Sequence, residues 1–350
     1  MGGAERVLVE LINQWPTNCW KIYLATFSDQ NKFSHILNND KIVKHKILLP
    51  KSTRLKAIYN MYLFCKKENI DIALCHLERS NKWLATGARL AGCKVAITVH
   101  SINLYDNTFF CKKTAIRCLY NTVPDRIIAI SDSVKKYLTS LGINHNKICI
   151  ILNGVNSKQI QKIYHLSPLQ KPLKLGVLGR LEPVKGLNIL LESLSILESE
   201  GFQWSLEIIG EGSQRKLLEN LAKKLGIESK INFHGYQKEP LKWLNRCSAI
   251  CMPSYREGLP IALLESMSIG LPAVASDVGY LSHIIKNGVN GFKCQPGSPE
   301  LLANSIRLLG KLAPYQWQYY SRNAQATAKN YDFKNTVKKY VEEMMNLLKH

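Results

Sequence analysis

The feature that most constrains this 350-residue chain is an alternation of short apolar segments with helical segments through both halves. The apolar segments are bounded by Gly, Pro and Asn, as buried strands are. Strands that alternate with helices form an open parallel sheet with helices on both faces. In the first half we predict strands at Lys21–Thr26, Ile47–Leu49, Ile72–His76, Val95–His100, Arg126–Ile130 and Ile148–Leu152.

The segments between these strands have apolar residues at helical spacing. An amphipathic helix follows Arg6, and further helices are predicted at Arg54–Glu68, Trp83–Ala91, Lys112–Asn121 and Ser133–Leu141. Ligands of such sheets bind at the carboxyl ends of the strands, which places His100, Ser131 and Asn153 on one rim. Ser131 also suits the N-cap of the helix that follows it.

The alternation restarts after Pro168 and Pro172, so we expect a linker near residues 156–172 and two domains. The predicted strands of the second half are Leu173–Leu178, Trp204–Ile209, Ile231–His234, Ala249–Met252 and Ala273–Ala275. The predicted helices are Leu187–Glu198, Gln214–Leu225, Pro260–Met267, Leu301–Leu309, Tyr315–Asn330 and Phe333–Leu348.

Two carboxylates, Glu257 and Glu265, bracket the turn and helix after the strand Ala249–Met252. One helix through both would separate them by about 12 Å along its axis. That is too far for an acid/base pair on one bond. The spacing suits the two ends of an elongated polar ligand whose anionic middle faces a helix N-terminus. A nucleotide sugar has this layout, although chance spacing on a solvated helix is the alternative.

A second candidate site is the loop that follows the strand Leu173–Leu178. Arg180 and Lys185 lie in this loop between Gly179 and Gly186, just before a predicted helix. Two cations at a helix N-terminus form an anion site, because backbone amides, the helix dipole and formal charges converge there. A merely charged surface is the alternative.

The chain carries 47 Lys and Arg against 26 Asp and Glu, a net charge of +21. An excess of this size indicates a polyanionic partner, with solubility as the alternative. One basic patch contains Lys41, Lys44, Lys46, Lys51, Arg54 and Lys56; another contains Lys112, Lys113 and Arg117 among aromatics. Lysines beside aromatic rings suit an anionic membrane surface, and no nucleic-acid-binding module is recognisable. A solvated face is again the alternative.

Cysteine usage and the N-terminus bear on the compartment. The ten cysteines show no CxxC or Cys/His spacing, so we predict core thiols in a reducing cytoplasm and no metal site. No apolar run approaches the ~20 residues of a membrane span, and the first residues do not resemble a signal peptide.

Taken together, these motifs resemble glycosyltransferase family 4. The resemblance is carried by Glu257-x7-Glu265, by the turn Gly270-Leu271-Pro272, by the loop with Arg180 and Lys185, and by Gly2-Gly3-Ala4-Glu5-Arg6. It covers nearly the whole chain. It implies the GT-B fold, in which two Rossmann-like domains face each other across a cleft. It further implies a retaining, metal-independent transferase with no cofactor, for which a UDP-sugar is the favoured donor.

The resemblance also implies a role for each site residue. Arg180 and Lys185 would grip the donor diphosphate, Glu257 would orient the sugar, and Glu265 would accept hydrogen bonds from ribose. His100 would lie beside the sugar, with capping of a loop as the alternative. The predicted donor-binding residues also include Gly2, Gly3, Gly258 and Leu259. We predict residues 1–160 as the acceptor-side domain, 161–330 as the donor domain and 331–350 as a helix that crosses back.

Three departures from the family pattern stand out. The first strand of the N-terminal domain is apparently missing, because Gly2 and Gly3 normally follow it; a misassigned start or an inactive relic would explain this. Pro260 removes one amide donor from the turn. His283 stands where a glutamate is usual.

The predicted function is transfer of a hexose or N-acetylhexosamine to a membrane-associated glycan or lipid acceptor in cell-surface polysaccharide or lipopolysaccharide biosynthesis. The enzyme would be cytoplasmic and peripheral to the inner face of the membrane. The alternatives are an inactive membrane-associated nucleotide-sugar-binding protein and a GT-B-fold sugar-nucleotide epimerase.

Overall fold

A computed structural model describes residues 3–27, 37–47, 54–100, 110–163 and 171–349. These residues form two compact units. Unit 1 contains the residues up to Asn153 and those from Phe333 onward, and unit 2 is Gly154–Asp332. The division between the units therefore falls before the predicted boundary at residue 160.

Unit 1 consists of short parallel strands joined by helices. Its described strands are β1 (Ile22–Thr26), β2 (Ile42–Ile47), β3 (Ile72–His76), β4 (Lys94–Val99), β5 (Arg126–Ala129) and β6 (Ile148–Ile150). The helices that accompany them are α1 (Gly3–Gln14), α2 (Arg54–Lys67), α3 (Ala85–Leu90), α4 (Phe110–Thr122) and α5 (Asp132–Ser140). A π-helical turn, Ser80–Leu84, runs directly into α3.

Among the described residues the strands of unit 1 form two separate sheets. β1 and β2 pair in parallel, and β3, β4, β5 and β6 form a second parallel sheet in that order. No described strand joins β1 to β3.

One predicted strand of this unit lies mostly outside the described residues. The predicted strand Ile47–Leu49 shares Ile47 with β2, which covers Ile42–Ile47, and residues 48–49 are not described. The residues of β2 include three basic side chains, so the sequence indicates a charged surface rather than a strand. β2 pairs only with β1 among the described strands. Basic residues are frequent on such edge strands, because charge opposes pairing with another chain.

The described strands of unit 2 form one six-stranded parallel sheet, in the order β12-β11-β10-β7-β8-β9. Its strands are β7 (Leu173–Leu178), β8 (Trp204–Ile209), β9 (Ile231–Gly235), β10 (Ala249–Met252), β11 (Ala273–Ser276) and β12 (Gly291–Cys294). Its helices are α6 (Ser157–Ile163), α7 (Leu187–Ser199), α8 (Arg215–Lys224), α9 (Leu241–Leu244), α10 (Ile261–Ser268), α11 (Leu281–Ile284), α12 (Pro299–Gly310) and α13 (Pro314–Lys329).

The core of unit 2 lies between this sheet and the helices α7 and α12. Leu175 and Leu206 of the sheet are fully buried, as are Leu190 and Leu194 of α7. Strands covered by helices on both faces are apolar at successive positions, which is why the strand predictions for β7, β8 and β10 match the structure.

The predicted linker at 156–172 contains helix α6, so that part of the prediction is wrong. The hydroxyl of Ser157 lies 3.0 Å from that of Ser268 and 3.3 Å from the carbonyl of Ala328. These contacts fasten α6 to α10 and α13. Residues 164–170, which include Pro168, lie outside the described residues.

The last helix, α14 (Phe333–Lys349), belongs to unit 1. The Tyr340 hydroxyl lies 3.2 Å from that of Thr98 on β4, and the Thr336 hydroxyl donates to the carbonyl of Leu152 at 2.8 Å. No described helix is both long and apolar enough to cross a bilayer.

Candidate functional site

The strand order of unit 2 places the two predicted motif loops side by side. β7 pairs with β8 on one edge and with β10 on the other, so the chain order reverses between β7 and β10. Ligands of open parallel sheets bind outside the carboxyl ends of the strands at such a reversal. The loop Gly179–Gly186 follows β7, and the turn Pro253–Pro260 follows β10. The candidate site of unit 2 is therefore formed by these two segments.

An ion pair joins the two segments. The Nζ atom of Lys185 donates to Oε1 of Glu257 at 2.6 Å, and the hydroxyl of Ser254 donates to the same oxygen at 2.7 Å. The side chains of Lys185 and Glu257 are 24% and 9% exposed. Both bonds end on Oε1, and among the described residues no group donates to Oε2. Glu257 is thus fixed in position and keeps one oxygen for a ligand.

Main-chain contacts set the distance across this ion pair. Gly186 has a left-handed backbone with φ of 61°, and a Cβ atom there would lie 2.2 Å from the carbonyl oxygen of Pro253. The amide of Tyr255 donates to the carbonyl of Val184 at 2.9 Å. Only glycine allows both this backbone conformation and this close approach.

A second glycine, Gly279, packs closely against the turn Pro253–Pro260. Gly279 has φ of 52°, and a Cβ atom there would lie 1.9 Å from the carbonyl oxygen of Glu257. The side chain of Leu259 is only 4% exposed. Its predicted contact with a donor is therefore restricted to the backbone amide. Gly258 beside it is half-buried.

Helix α10 begins one residue later than predicted. Pro260 has an extended backbone with ψ of 108° and forms the N-cap, and its carbonyl accepts from the amide of Leu263 at 3.1 Å. Residues 257–260 are therefore not helical, so the estimate of about 12 Å for one helix through both glutamates does not apply. Glu265 lies in the middle of α10 and is half-buried.

Arg180 lies in the same loop as Lys185 and is exposed. Its guanidinium makes no hydrogen bond or ion pair with the described residues. The loop is supported by the segment after β8, because a Cβ atom at Gly210 would lie 1.8 Å from the carbonyl oxygen of Gly179. The amide of Leu181 also donates to the carbonyl of Glu211 at 2.9 Å. Arg180 thus extends from a well-supported loop and is available to an anion.

In unit 1, His100 pairs with a histidine that the sequence analysis overlooked. Nε2 of His100 lies 3.2 Å from Nδ1 of His76, and the His76 ring stacks on Tyr340. Burial lowers the pKa of His100 to about 4. Burial, and then the His100 charge, lower the pKa of His76 well below its usual value. Both rings are therefore neutral at neutral pH.

This histidine pair predicts acid sensitivity in unit 1. An unfolded His100 titrates near pH 6.5 and the folded one near 4, so below pH 6.5 the unfolded chain binds the proton first. Stability present above pH 6.5 is expected to fall by up to about 3 kcal/mol by pH 4. Hydrogen exchange of the β4 amides between pH 7 and 4 measures this. Replacing both His76 and His100 by Gln should remove most of the pH dependence, because burial lowers the pKa of each ring; an unchanged profile would contradict the assignment.

Two predicted glycine sites are barely described. Gly2 lies outside the described residues, and Gly3 is the first residue of α1. Their assignment to the donor stays a prediction. Of the aromatic residues of the second basic patch, Tyr105 and Phe109 lie outside the described residues, as do the side chains of Phe110 and Lys112. Tyr120 is described and is fully buried, so its predicted contact with a membrane is wrong. Ser131 caps α5, since its hydroxyl accepts from the amide of Val134 at 3.3 Å.

Sequence reasoning did not predict the contacts by which three residues support the unit 2 site: Ser254, Gly186 and Gly279. Ser254 lies three residues before Glu257, a spacing that allows a side-chain hydrogen bond within a turn. The glycines are recognisable as turn residues, but their close approach to Pro253 and Glu257 depends on the strand order. His76 has no local signal, because its contact with His100 requires β3 beside β4.

Comparison with known proteins identifies the family of the chain. Residues 164–326 match the family described as glycosyl transferases group 1, and residues 1–159 match glycosyltransferase family 4. The chain belongs to glycosyltransferase family 4, with two Rossmann-like domains of the GT-B fold.

Two curated relatives and one crystal structure illustrate the similarity. The lipopolysaccharide 1,6-galactosyltransferase of Salmonella typhimurium is 28% identical over 90% of this chain and 88% of its own length. An Escherichia coli UDP-Gal:alpha-D-GlcNAc-diphosphoundecaprenol alpha-1,3-galactosyltransferase is 24% identical over 72% of this chain and 69% of its own. The crystal structure of Anabaena HepE in complex with UDP-glucose superposes with a TM-score of 0.86 at 20% identity, covering 99% of this chain and 96% of HepE.

Proposed function

We propose that this glycosyltransferase transfers a hexose or N-acetylhexosamine from a UDP-sugar to a hydroxyl of a lipid-linked glycan, with retention of the anomeric configuration and without a metal ion. The observation that carries the proposal is the Lys185–Glu257 ion pair at the strand-order reversal of unit 2, with the exposed Arg180 in the same loop. This arrangement offers cations and a carboxylate oxygen to one ligand.

The cations act on the leaving group. In the transfer, the bond between the anomeric carbon and the diphosphate oxygen breaks, and the acceptor oxygen bonds to that carbon. The acceptor proton passes to an oxygen of the leaving diphosphate. Negative charge develops on the diphosphate, and fixed cations stabilise it more in the transition state than in the ground state. Lys185 has hydrogen-bond donors left after its bond to Glu257. The guanidinium of Arg180 can bind a phosphate with two hydrogen-bond donors.

The remaining residues position the donor. Oε2 of Glu257 accepts from a sugar hydroxyl, while Ser254 and Lys185 hold the carboxylate. The amides of Gly258 and Leu259 face the same ligand, and Glu265 accepts from ribose. We assign His100 to the donor sugar. Its neutral ring can donate or accept one hydrogen bond, according to its tautomer.

The names of the relatives support the donor and acceptor classes. The Escherichia coli relative uses UDP-galactose and a diphosphoundecaprenol-linked acceptor, the Salmonella relative acts on lipopolysaccharide, and HepE binds UDP-glucose. All nine described cysteines are free thiols, which suits the reducing cytoplasm. The proposal places the reaction at the inner face of the cytoplasmic membrane.

A donor panel tests this function. The full chain is incubated with UDP-galactose, UDP-glucose, UDP-N-acetylglucosamine and GDP-mannose, with and without undecaprenyl-diphosphate-linked N-acetylglucosamine, in buffer containing EDTA. We expect UDP release from one UDP-sugar only when acceptor is present, and an α-linked product by NMR. Nucleotide binding without turnover on any acceptor would indicate a binding protein. Interconversion of the sugar nucleotide without acceptor would indicate an epimerase.

A membrane-facing surface is the second part of the proposal. Leu55, Tyr59 and Leu63 recur every four residues along α2, and their side chains are 78%, 59% and 45% exposed. Arg54, Lys56, Lys66 and Lys67 flank this stripe and are exposed. An exposed apolar stripe with basic neighbours binds an anionic membrane surface in two ways: its apolar area is buried in the membrane, and its basic side chains are attracted to the anionic lipids.

Replacing both Leu55 and Leu63 by Glu is expected to reduce binding to vesicles of phosphatidylglycerol and phosphatidylethanolamine at least tenfold, because apolar area is lost and repulsion is added. Co-sedimentation measures the binding. Leu217→Glu is the matched control, since Leu217 is 60% exposed on α8. Equal binding by the double variant and the control would show that α2 is not part of the membrane-facing surface.

A further inference from the structure

Two arginines of unit 1 are held over aromatic rings. The guanidinium carbon of Arg79 lies 4.8 Å from the centre of the Phe27 ring, and that of Arg54 lies 5.3 Å from the centre of the Trp83 ring. Both arginines are exposed, and neither guanidinium has a hydrogen bond or an ion pair with another described residue. The N–H donors of an arginine lie in the plane of its guanidinium, so contact of one face with a ring leaves them free for an anion.

The segment that carries Arg79 is fixed at both ends. Leu77, directly after β3, has φ of 71°, a left-handed conformation that is strained for a leucine. The amide of Asn81 donates to the carbonyl of Leu77 at 2.9 Å, and its buried Nδ2 donates to the carbonyl of Thr98 on β4 at 2.8 Å. The π-helical turn that follows is of a kind frequent at functional sites. Arg79 is therefore presented from a backbone that is already positioned.

The two arginines belong to one surface of unit 1. Trp83 follows Arg79 by four residues in the same helical segment, so the two side chains lie on the same side of it. Arg54 covers that tryptophan from α2. The acidic neighbour in the sequence, Glu78, forms an ion pair with Lys82 and is thereby neutralised. The surface therefore offers two unpaired guanidinium groups beside two rings.

This surface lies between the carboxyl ends of the strands and the exposed apolar stripe of α2. Phe27 directly follows β1, and Arg79 lies three residues beyond β3. Ligands of parallel sheets bind at this edge. Arg54 is the first residue of α2, and the next residue is Leu55, the most exposed member of the stripe. An anion bound by both arginines therefore lies next to the membrane-facing surface.

We propose that Arg54 and Arg79 bind the diphosphate of a lipid-linked acceptor. This inference rests on the proposed function, which supplies such an acceptor. The lipid lies in the bilayer, so the diphosphate stays at the depth of the phospholipid headgroups, beside Leu55. Two guanidinium groups suit two adjacent phosphates, because each can bind one phosphate with two parallel hydrogen bonds. The glycan beyond the diphosphate then extends along the carboxyl edge of the sheet toward His100.

A binding measurement tests the site without turnover. Farnesyl diphosphate is titrated into the full chain by calorimetry, with UDP at saturation so that the donor site of unit 2 is occupied. Replacing both Arg54 and Arg79 by Gln is expected to raise the Kd about 100-fold, roughly tenfold for each charged hydrogen-bonding group lost. Lys136→Gln, at an exposed position on α5, is the matched control and should leave the Kd unchanged. Dihexanoylphosphatidylglycerol, a soluble lipid with one phosphate, should bind at least tenfold more weakly than farnesyl diphosphate.

Two outcomes would overturn the proposal. One is an equal Kd for farnesyl diphosphate in the double variant and the unchanged chain. The other is equally tight binding of dihexanoylphosphatidylglycerol, in which case the arginines would bind phospholipid headgroups in general. Kinetics adds a second readout: the double variant should raise KM for a diphosphate-linked N-acetylglucosamine acceptor at least tenfold, and leave KM for the sugar donor unchanged. Arginine-dependent diphosphate binding by a chain that transfers no sugar would contradict the proposed function but not this site.

Discussion

Replacing Lys185 by alanine is expected to lower kcat/KM for the sugar donor by about 100- to 1,000-fold, because one fixed charge on the leaving diphosphate is lost. The same change leaves Glu257 buried without its cation. We expect unit 2 to lose about 1–3 kcal/mol of stability as a result. Steady-state kinetics and hydrogen exchange of the β7 and β10 amides measure the two effects.

The two effects can be separated with a second variant. Lys185→Met combined with Glu257→Gln removes both charges, so stability should recover while activity stays low. Lys216→Ala, at an exposed position on α8, is the matched control and should change neither quantity. If Lys185→Ala retained full kcat/KM, the diphosphate would not contact this lysine. If the double variant recovered activity together with stability, Lys185 would serve the fold alone.

The strands of unit 2 could be predicted from the sequence because they are buried on both faces. β7, β8 and β10 are apolar runs bounded by turn residues, and local reading suffices for such runs. β2 could not be predicted in this way. It lies at a sheet edge, and its lysines resemble a surface loop as much as a strand.

The contacts of the site depend on strand order, which local patterns do not encode. Lys185 and Glu257 are 72 residues apart and meet because β7 pairs with β10. His76 and His100 meet because the register of β3 and β4 aligns His76 with Thr98. From the sequence, both loops and His100 were predicted as parts of the site. Lys185 was predicted to bind phosphate and Glu257 to bind sugar, with no contact between the two side chains. The structure shows that the carboxylate and the ammonium position each other.

The strongest structural constraint on this ion pair is Gly186, and Gly186→Ala is expected to destabilise unit 2 by about 3 kcal/mol or more. A left-handed backbone costs an alanine roughly 1–2 kcal/mol. The remainder arises because the new methyl group would lie 2.2 Å from the Pro253 carbonyl, and both partners are backbone atoms that cannot rotate away. The turn after β10 must move, and Glu257 with it.

Gly226→Ala is the matched control for this prediction. Gly226 has φ of 69°, close to the 61° of Gly186, but a Cβ atom there would meet nothing within 4 Å. Gly226→Ala should therefore lower the stability of unit 2 only by the roughly 1–2 kcal/mol that a left-handed backbone costs an alanine. Denaturant-dependent hydrogen exchange of the β7 and β10 amides gives both values, and calorimetry with UDP should show at least tenfold weaker binding for Gly186→Ala alone. Equal costs for the two alanines would mean that the loops do not approach as closely as the structure shows, and the alignment of Lys185 with Glu257 would then need another cause.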